Sequence, residues 1–408
     1  MNILWLSHNV PYPPKTGVLQ RNYNLVREAS KLGNVHLVAV FQKAILPIRY
    51  DMEEIHRELG KFCKSIEIIY LPIDSSKVMW LWTVLKSIFT TDPYSVNWIK
   101  SRQMHHRIRQ ITSKIKFDIV HFDTISLAEY FDDVGIAHKI LNHHNMESHL
   151  MERRSSIEKN ILKKFYYQME AKKLRRYEET HCKKFDINFT VSQDDKELLQ
   201  ELIPGCRIEV IPNGVDTDYF RREDIQPSPG TLVFAGGMNW YPNRDAILHF
   251  CREIWPLLKK GFPEISLTVV GAQPPRELLE LAERDPKIVA TGFVDDVRPY
   301  FANAEVYICP MRDGGGTRLK ILDTLSMSTA LVSTTIGCEG IKVTPETNVL
   351  IADTPVEFVT QVKRVFQDPE LRKRLGREGR KLVEEKYSWE VIGNTLRAVY
   401  ADLCQRTF

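Results

Sequence analysis

The chain has 408 residues, 43% hydrophobic and 26% charged, a composition ordinary for a globular protein and a length that implies two domains rather than one core. A formal net charge of +4 is too small to argue for a nucleic-acid partner, and no 18-residue apolar run exists to cross a membrane. Seven scattered cysteines, odd in number and never in C-x-x-C, exclude a disulfide framework and a zinc knuckle and point to a reducing cytoplasm.

The charge is uneven along the chain. Residues 1–204 hold 30 Lys/Arg against 24 Asp/Glu, together with eleven of the twelve His; the remainder holds 26 against 28. Chemistry that needs imidazole, and any attraction to an anionic surface, is therefore expected in the first half. The N-terminus has a short apolar run and no basic start, so a signal peptide is not expected there.

"NILWLS" reads as a strand, "HNVPYPPKTG" as a loop, "VLQRNYNLVREASKLG" as a helix with a Gly stop, and "NVHLVAVF" as a second strand. Strand, helix and strand in that order make a βαβ unit and imply parallel pairing. "FDIVHFD", "KILNHH" and "FDINFTVS" repeat the strand pattern, with a charged helical region over Glu147–Lys184 between the last two. A second cycle is expected after Pro204, opening with "CRIEVIPNGVDTDYF"; "REDIQPSPG" is the best linker candidate. From "TLVFAGG" to "ALVST" strands and helices alternate regularly. The sum is two doubly wound α/β domains, whose ligands sit beyond the carboxyl ends of the strands.

Strand-end loops therefore carry the functional reading. "CPMRDGGGTRLKILD" follows the strand "EVYICP" and opens a helix. Gly314, Gly315 and Gly316 let backbone N–H groups approach a ligand, and Thr317 adds a hydroxyl where the helix dipole favours an anion. Arg318 and Lys320 offer a bidentate fork and a point charge, and Asp323 an acceptor for hydroxyls such as a ribose diol. The set reads as a nucleoside-diphosphate site without a Walker loop or a G-x-G-x-x-G fingerprint; the alternative is a solvated loop with a surface Lys/Asp pair. Gly17, with Lys15 and Arg21 near it, is the counterpart after the first strand. Gly236, Gly237, Asn239 and Asn243 follow "TLVFA", and backbone near Phe293 is a candidate for a nucleobase edge.

"NHHNMES" places His143, His144, Asn145 and Glu147 at another strand end. Zinc through His144 and His149 has neither H-E-x-x-H nor a nearby Cys, so no metal is expected; contact with substrate hydroxyls or proton transfer suits His144 better, while His143 reads as packing. Asp216-Thr217-Asp218 beside Pro212-Asn213-Gly214 reads as turn and cap rather than a metal site. Arg153–Lys184 carries eleven Lys/Arg interleaved with aromatic residues, either a solvated helix face or a face drawn to anionic lipid. "VMWLWTVLKSIF" is too short to span a bilayer and is either core or an interfacial or lipid-acceptor contact.

With these motifs in order, the whole chain resembles the retaining glycosyltransferases of family 4. "RDGGGTRLKILDTLSM" is similar to the donor signature of the G-G-G-T-R-x-K subgroup associated with bacterial surface polysaccharide synthesis. "HNMES", "IPNGVDTDYF", "GGMNWYPNRDAI" and "EKYSWEVIGNTLRAVY" agree in order and spacing. The resemblance implies a GT-B fold, two facing Rossmann-like domains with mainly parallel sheets. Residues 1–205, completed by a C-terminal helix over 389–408, would bind the acceptor; residues 206–388, after a linker at about 212–230, would bind the donor.

It also implies metal-independent transfer of a sugar, with retention, from a UDP- or GDP-sugar to a saccharide or polyprenyl-linked acceptor, with no cofactor. His144, Arg318 and Lys320 would be catalytic. Gly17, Gly237, Asn239, Phe293, Asp313, Gly314, Gly315, Gly316, Thr317, Leu319 and Asp323 would line the donor, and Lys15, Arg21, Asn145 and Glu147 the acceptor side. Many members carry E-x7-E; here Asp323 matches the second acid and Gly315 stands at the first, so donor identity does not carry over. The expected location is cytoplasmic, with attachment at the inner face of the membrane, an anionic lipid surface being the candidate partner. A nucleotide-sugar epimerase or hydrolase, or a non-catalytic nucleotide-binding homologue, are the alternatives.

Overall fold

A computed structural model describes residues 1–15, 17–42, 51–71, 77–222, 225–314 and 317–405. The chain divides into two compact units: Met1–Pro212 with Ile392–Phe408, and Asn213–Val391. The expected Gly315 and Gly316 lie outside the described residues.

In the first unit, β1 (Asn2–Ser7), β2 (Asn34–Phe41), β3 (Cys63–Tyr70), β4 (Ile119–Phe122), β5 (His138–Asn142), β6 (Ile187–Thr190) and β7 (Ile208–Val210) form one parallel sheet. Its order is β3-β2-β1-β4-β5-β6-β7. Nearly every residue of β1, β2 and β4 is buried, which is why these segments are continuous apolar runs rather than alternating ones. The order reverses direction between β1 and β4, the switch point where a doubly wound sheet opens a crevice. The sequence expected "CRIEV" to open the second cycle. Instead β7 pairs with β6, Asn188 opposite Ile208, and closes the first sheet, because an apolar strand is covered best by the free edge beside it.

In the second unit, β8 (Thr231–Ala235), β9 (Ser266–Val270), β10 (Ile288–Gly292), β11 (Val306–Cys309), β12 (Ala330–Ser333) and β13 (Leu350–Ile351) pair in the parallel order β10-β9-β8-β11-β12-β13. The switch point lies between β8 and β11. At the end of β8 the backbone runs so close to Gly271 that a Cβ there would collide with the Gly236 carbonyl. Helices start where the sequence supplies caps: Thr354 and Glu357 form a reciprocal capping box before Pro355–Gln367, and Asp368 caps Pro369–Lys386 with proline at its start.

The last helix, Trp389–Gln405, belongs to the second unit only to Val391. From Ile392 onward it packs in the first. Gly393 lies against Glu28 of the helix Gly17–Ala29, and Arg397 Nη1 donates to the buried Glu28 carboxylate, which Lys31 also bridges at 2.8 Å. Tyr400 is buried and its hydroxyl lies 2.7 Å from His121 Nδ1; burial lowers the His121 pKa to about 3. Removing one partner of a buried pair leaves an uncompensated charge, usually at ~3–5 kcal/mol. Because Lys31 would remain, Arg397→Ala is expected to destabilise the first unit by about 2 kcal/mol in urea unfolding, and Arg397→Lys by less.

Candidate active site

Three adjacent strands of the first sheet end in polar side chains that meet. His8 follows β1, Asp123 follows β4 and His144 follows β5, at the carboxyl side of the switch point. Asp123 is fully buried. Its Oδ2 accepts from Asn22 Nδ2 and from His8 Nδ1, each at 2.5 Å, and its Oδ1 from His144 Nε2 at 2.9 Å. Burial by itself would raise the Asp123 pKa, but His144 and His8 overcome it and hold the carboxyl well below the usual range. An ionised carboxylate only accepts, so the two ring nitrogens facing it donate.

The same carboxylate is locked from behind. Asn22 also donates to Ser7 Oγ at 3.1 Å and accepts from Trp5 Nε1 at 3.3 Å, and Asn142 Nδ2 reaches the Asp123 carbonyl at 3.2 Å. Trp5 stacks on His121 at 3.7 Å between ring centroids. The His144 pKa is lowered by burial, with Asp123 opposing that shift. His8, Asp123 and His144 offer three metal-ligand atoms all within 4.8 Å of one another. His149, weighed with His144 from the sequence, is not in that group.

The other expected residues of this half divide. Glu147, at the start of helix Glu147–Ile157, accepts from Thr124 Oγ1 at 3.0 Å, and burial raises its pKa. Asn145 is half-buried on the same turn, and His143 packs inward, 3.2 Å from Asn188 Oδ1, its pKa lowered by burial to about 4. Gly17 begins its helix and Lys15 is exposed. Arg21 corrects an expectation: rather than facing ligand, it is buried, donating to Asn142 Oδ1 at 2.8 Å and to the Pro212 carbonyl at 2.9 Å. A guanidinium one helical turn past Gly17 faces the sheet, so it braces β5. Asp216 Oδ1 accepts from the backbone N–H of Asp218 and Tyr219, as a turn former does.

In the second unit the helix Leu319–Ser326 starts from Arg318, which keeps extended backbone as its N-cap and is buried. Arg318 Nη2 lies 3.6 Å from Glu339 Oε2, and the guanidinium sits over Trp240 at 5.9 Å. Gly314 has φ +123°, and a Cβ there would press on Arg318 and Trp240; glycine is required. Lys320 Nζ donates to Asn243 Oδ1 at 2.5 Å, and Asn243 Nδ2 donates to the Gly237 carbonyl at 2.9 Å. That chain joins the loop after β8, with Gly237 and Asn239, to the loop after β11, across the switch point.

Burial lowers the Lys320 pKa to about 8, with Arg318 adding to the shift, and burial raises that of Asp323 to about 8. Thr317 Oγ1 and Asp323 Oδ1 are buried with no hydrogen-bond partner among the described residues. A buried polar group left without any partner costs about 1–3 kcal/mol. Asp313 turns back on its own loop, accepting from Gly314 N at 2.6 Å, and Leu319 packs on the core. Phe293 is exposed after the edge strand β10, whose Gly292 carbonyl accepts from Gly271 N at 3.0 Å at the end of β9.

His8, Asn22, Asp123 and Glu339 were not singled out from the sequence. Their strand-end positions in "LSHN", "HFDT" and "GCEG" were the available signal.

Residues 16–219 match the family described as Glycosyltransferase Family 4, and residues 229–368 match Glycosyl transferases group 1. An uncharacterised 44.6 kDa protein from the cps region of Klebsiella pneumoniae is 21% identical over 309 residues, 73% of this chain and 77% of that one. Other bacterial relatives match over 39%, 54% and 59% of their own length. Among solved structures, sucrose-phosphate synthase from Thermosynechococcus elongatus superposes with a TM-score of 0.71 at 14% identity over 99% of both chains. Anabaena HepE in complex with UDP and glucose gives 0.67 at 11% identity over 98% of this chain and 100% of that one. At these identities the likeness is one of fold, and the two parallel-sheet Rossmann-like units are those of GT-B proteins.

Replacing Asp123 by Asn puts an amide N–H₂ or its oxygen where three donors converge, leaving at least one unpaired at a cost of about 1–3 kcal/mol. In Asp123→Asn, the His144 imidazole is expected to titrate lower than in the wild type, because the anion that opposes the effect of burial is gone. Imidazole NMR titration reads this directly.

Proposed function

The chain belongs to the group 1/family 4 glycosyltransferases, and from that membership we propose that it transfers a sugar from a nucleoside-diphosphate donor to a saccharide or lipid-linked acceptor with retention of configuration. The carrying observation is the second unit's switch point, where Arg318 and Lys320 stand beside the unpartnered hydroxyl of Thr317 and carboxyl of Asp323. Two cations suit a diphosphate, and the carboxyl suits a ribose diol. HepE binds UDP in a similar fold, which supports a UDP-sugar; GDP remains the other member of the donor class.

In the reaction, the bond between the anomeric carbon and the diphosphate oxygen breaks and the acceptor oxygen bonds to the same carbon. Positive charge builds on the sugar and negative charge on the departing diphosphate. Arg318 and Lys320 neutralise the latter, and electrostatic stabilisation of this kind needs no divalent cation. The acceptor proton passes to the leaving phosphate on the same face, so no side-chain nucleophile is assigned. Within the first unit, His144, fixed by Asp123, is assigned a catalytic role, and Asn145 and Glu147 an acceptor role. The Klebsiella relative comes from a cps region, which fits a role in surface polysaccharide synthesis.

A panel of UDP- and GDP-sugars, with turnover and product anomer read by NMR, tests the reading; an inverted product overturns retention. Lys320→Ala is expected to weaken nucleoside-diphosphate binding by about 1.5–3 kcal/mol in calorimetry, and unchanged affinity would remove the diphosphate assignment. Only the charged lysine attracts the diphosphate, so affinity is expected to fall as pH rises through about 8.

A further inference from the structure

The helix Lys77–Phe89, "KVMWLWTVLKSIF", is folded with its polar side inward. Its buried side chains are Thr83 and Ser87, the latter 0% exposed, whereas Trp82 is 64% and Phe89 87% exposed, with Trp80 and Leu85 also outward. The inward stripe costs little, because Thr83 Oγ1 donates to the Met79 carbonyl at 3.0 Å and Ser87 Oγ to the Val84 carbonyl at 2.7 Å. The outward face is a different matter. Each large apolar side chain left in water forgoes the gain of burial, so this orientation suits a helix whose outer face leaves water.

The surroundings identify the phase. Lys173 of the neighbouring helix Ile161–His181 donates from Nζ to the Ser87 carbonyl, so the two helices are neighbours. The start of that second helix also points apolar groups outward, Leu162 being 81% and Phe165 68% exposed, with Lys163 and Lys164 between them. Among its described side chains the inverted helix carries Lys86 and no acid. Exposed tryptophans edged by lysines are the chemistry of the bilayer interface, where the rings sit at headgroup level and the ammonium groups meet anionic phosphates. Thirteen residues at 1.5 Å per residue give about 20 Å, short of the roughly 30 Å hydrocarbon core, so the helix would lie in the membrane plane. A second copy suits the patch less, because a two-fold contact sets the lysines of one patch against those of the other.

We propose that this face docks the protein on an anionic lipid bilayer, with Trp80, Trp82 and Phe89 entering the acyl boundary and Lys86, Lys163 and Lys164 at the headgroups. The proposal stands apart from the transferase reading, since it rests on no residue of either strand-end site. It is tested with the full chain and vesicles of phosphatidylcholine with or without phosphatidylglycerol. The wild type is expected to cosediment with the anionic vesicles and to release as salt rises, and brominated lipid should quench part of its tryptophan emission. Replacing Trp80, Trp82 and Phe89 together by Ser should lower partitioning at least about tenfold, while Lys163→Glu with Lys164→Glu should remove the preference for anionic lipid. Wild-type protein that neither cosediments nor is quenched overturns the proposal without recourse to any variant. So does a dimer in light scattering that the triple substitution dissociates while vesicle binding is absent.

Discussion

Much of the first unit's candidate site hangs on one buried carboxylate. Asp123 takes donors from three separate segments, Asn22 in the first helix, His8 after β1 and His144 after β5, so a single anion sets the mutual positions of two imidazoles. The arrangement is self-consistent electrically. The histidines hold the carboxyl ionised despite its burial, and the ionised carboxyl in turn fixes which nitrogen of each ring bears hydrogen. Trp5 and Ser7 of β1, both bonded to Asn22 of the first helix, complete the clamp, and nothing there can relax without opening the core.

The second unit uses burial differently. There the chain places a lysine and a carboxyl on successive turns of one helix and desolvates both, so that each would titrate near pH 8. At neutral pH that leaves a charged lysine beside a carboxyl that keeps its proton, a combination able to accept an anion without first neutralising a competing one. The Lys320–Asn243–Gly237 chain of hydrogen bonds keeps the amine extended toward the loop after β8. Position and charge state are thereby set by the same packing.

The alternating strands and helices, the two sheets and the last helix from Trp389 were legible because buried parallel strands are continuous apolar runs and their helices carry ordinary caps. The assignment of "CRIEV" was not, since a three-residue strand joins whichever edge is free and only tertiary pairing decides. Arg318, Lys320 and Asp323 could be picked out because glycine and alternating charge are unusual at a strand end. Asp123 could not: it looks like any acid after a strand until β1 and β5 bring histidines to it from residues far away in sequence. Arg21 misled for the opposite reason, as a cation near a glycine loop suggests a ligand while helix phase turned it to the sheet. The inverted helix left core and interface equally open, since side-chain exposure is what separates them.

The division of the final helix bears on how the protein is made. The first unit receives Gly393, Arg397 and Tyr400 from a segment translated after every residue of the second. On the ribosome, then, the N-terminal sheet emerges early but has to wait, with Glu28 lacking Arg397 and His121 lacking Tyr400, while the intervening unit is synthesised and can fold independently. Order of synthesis and order of completion are reversed, and the interval between them is the period in which the nascent first unit depends most on protection from aggregation.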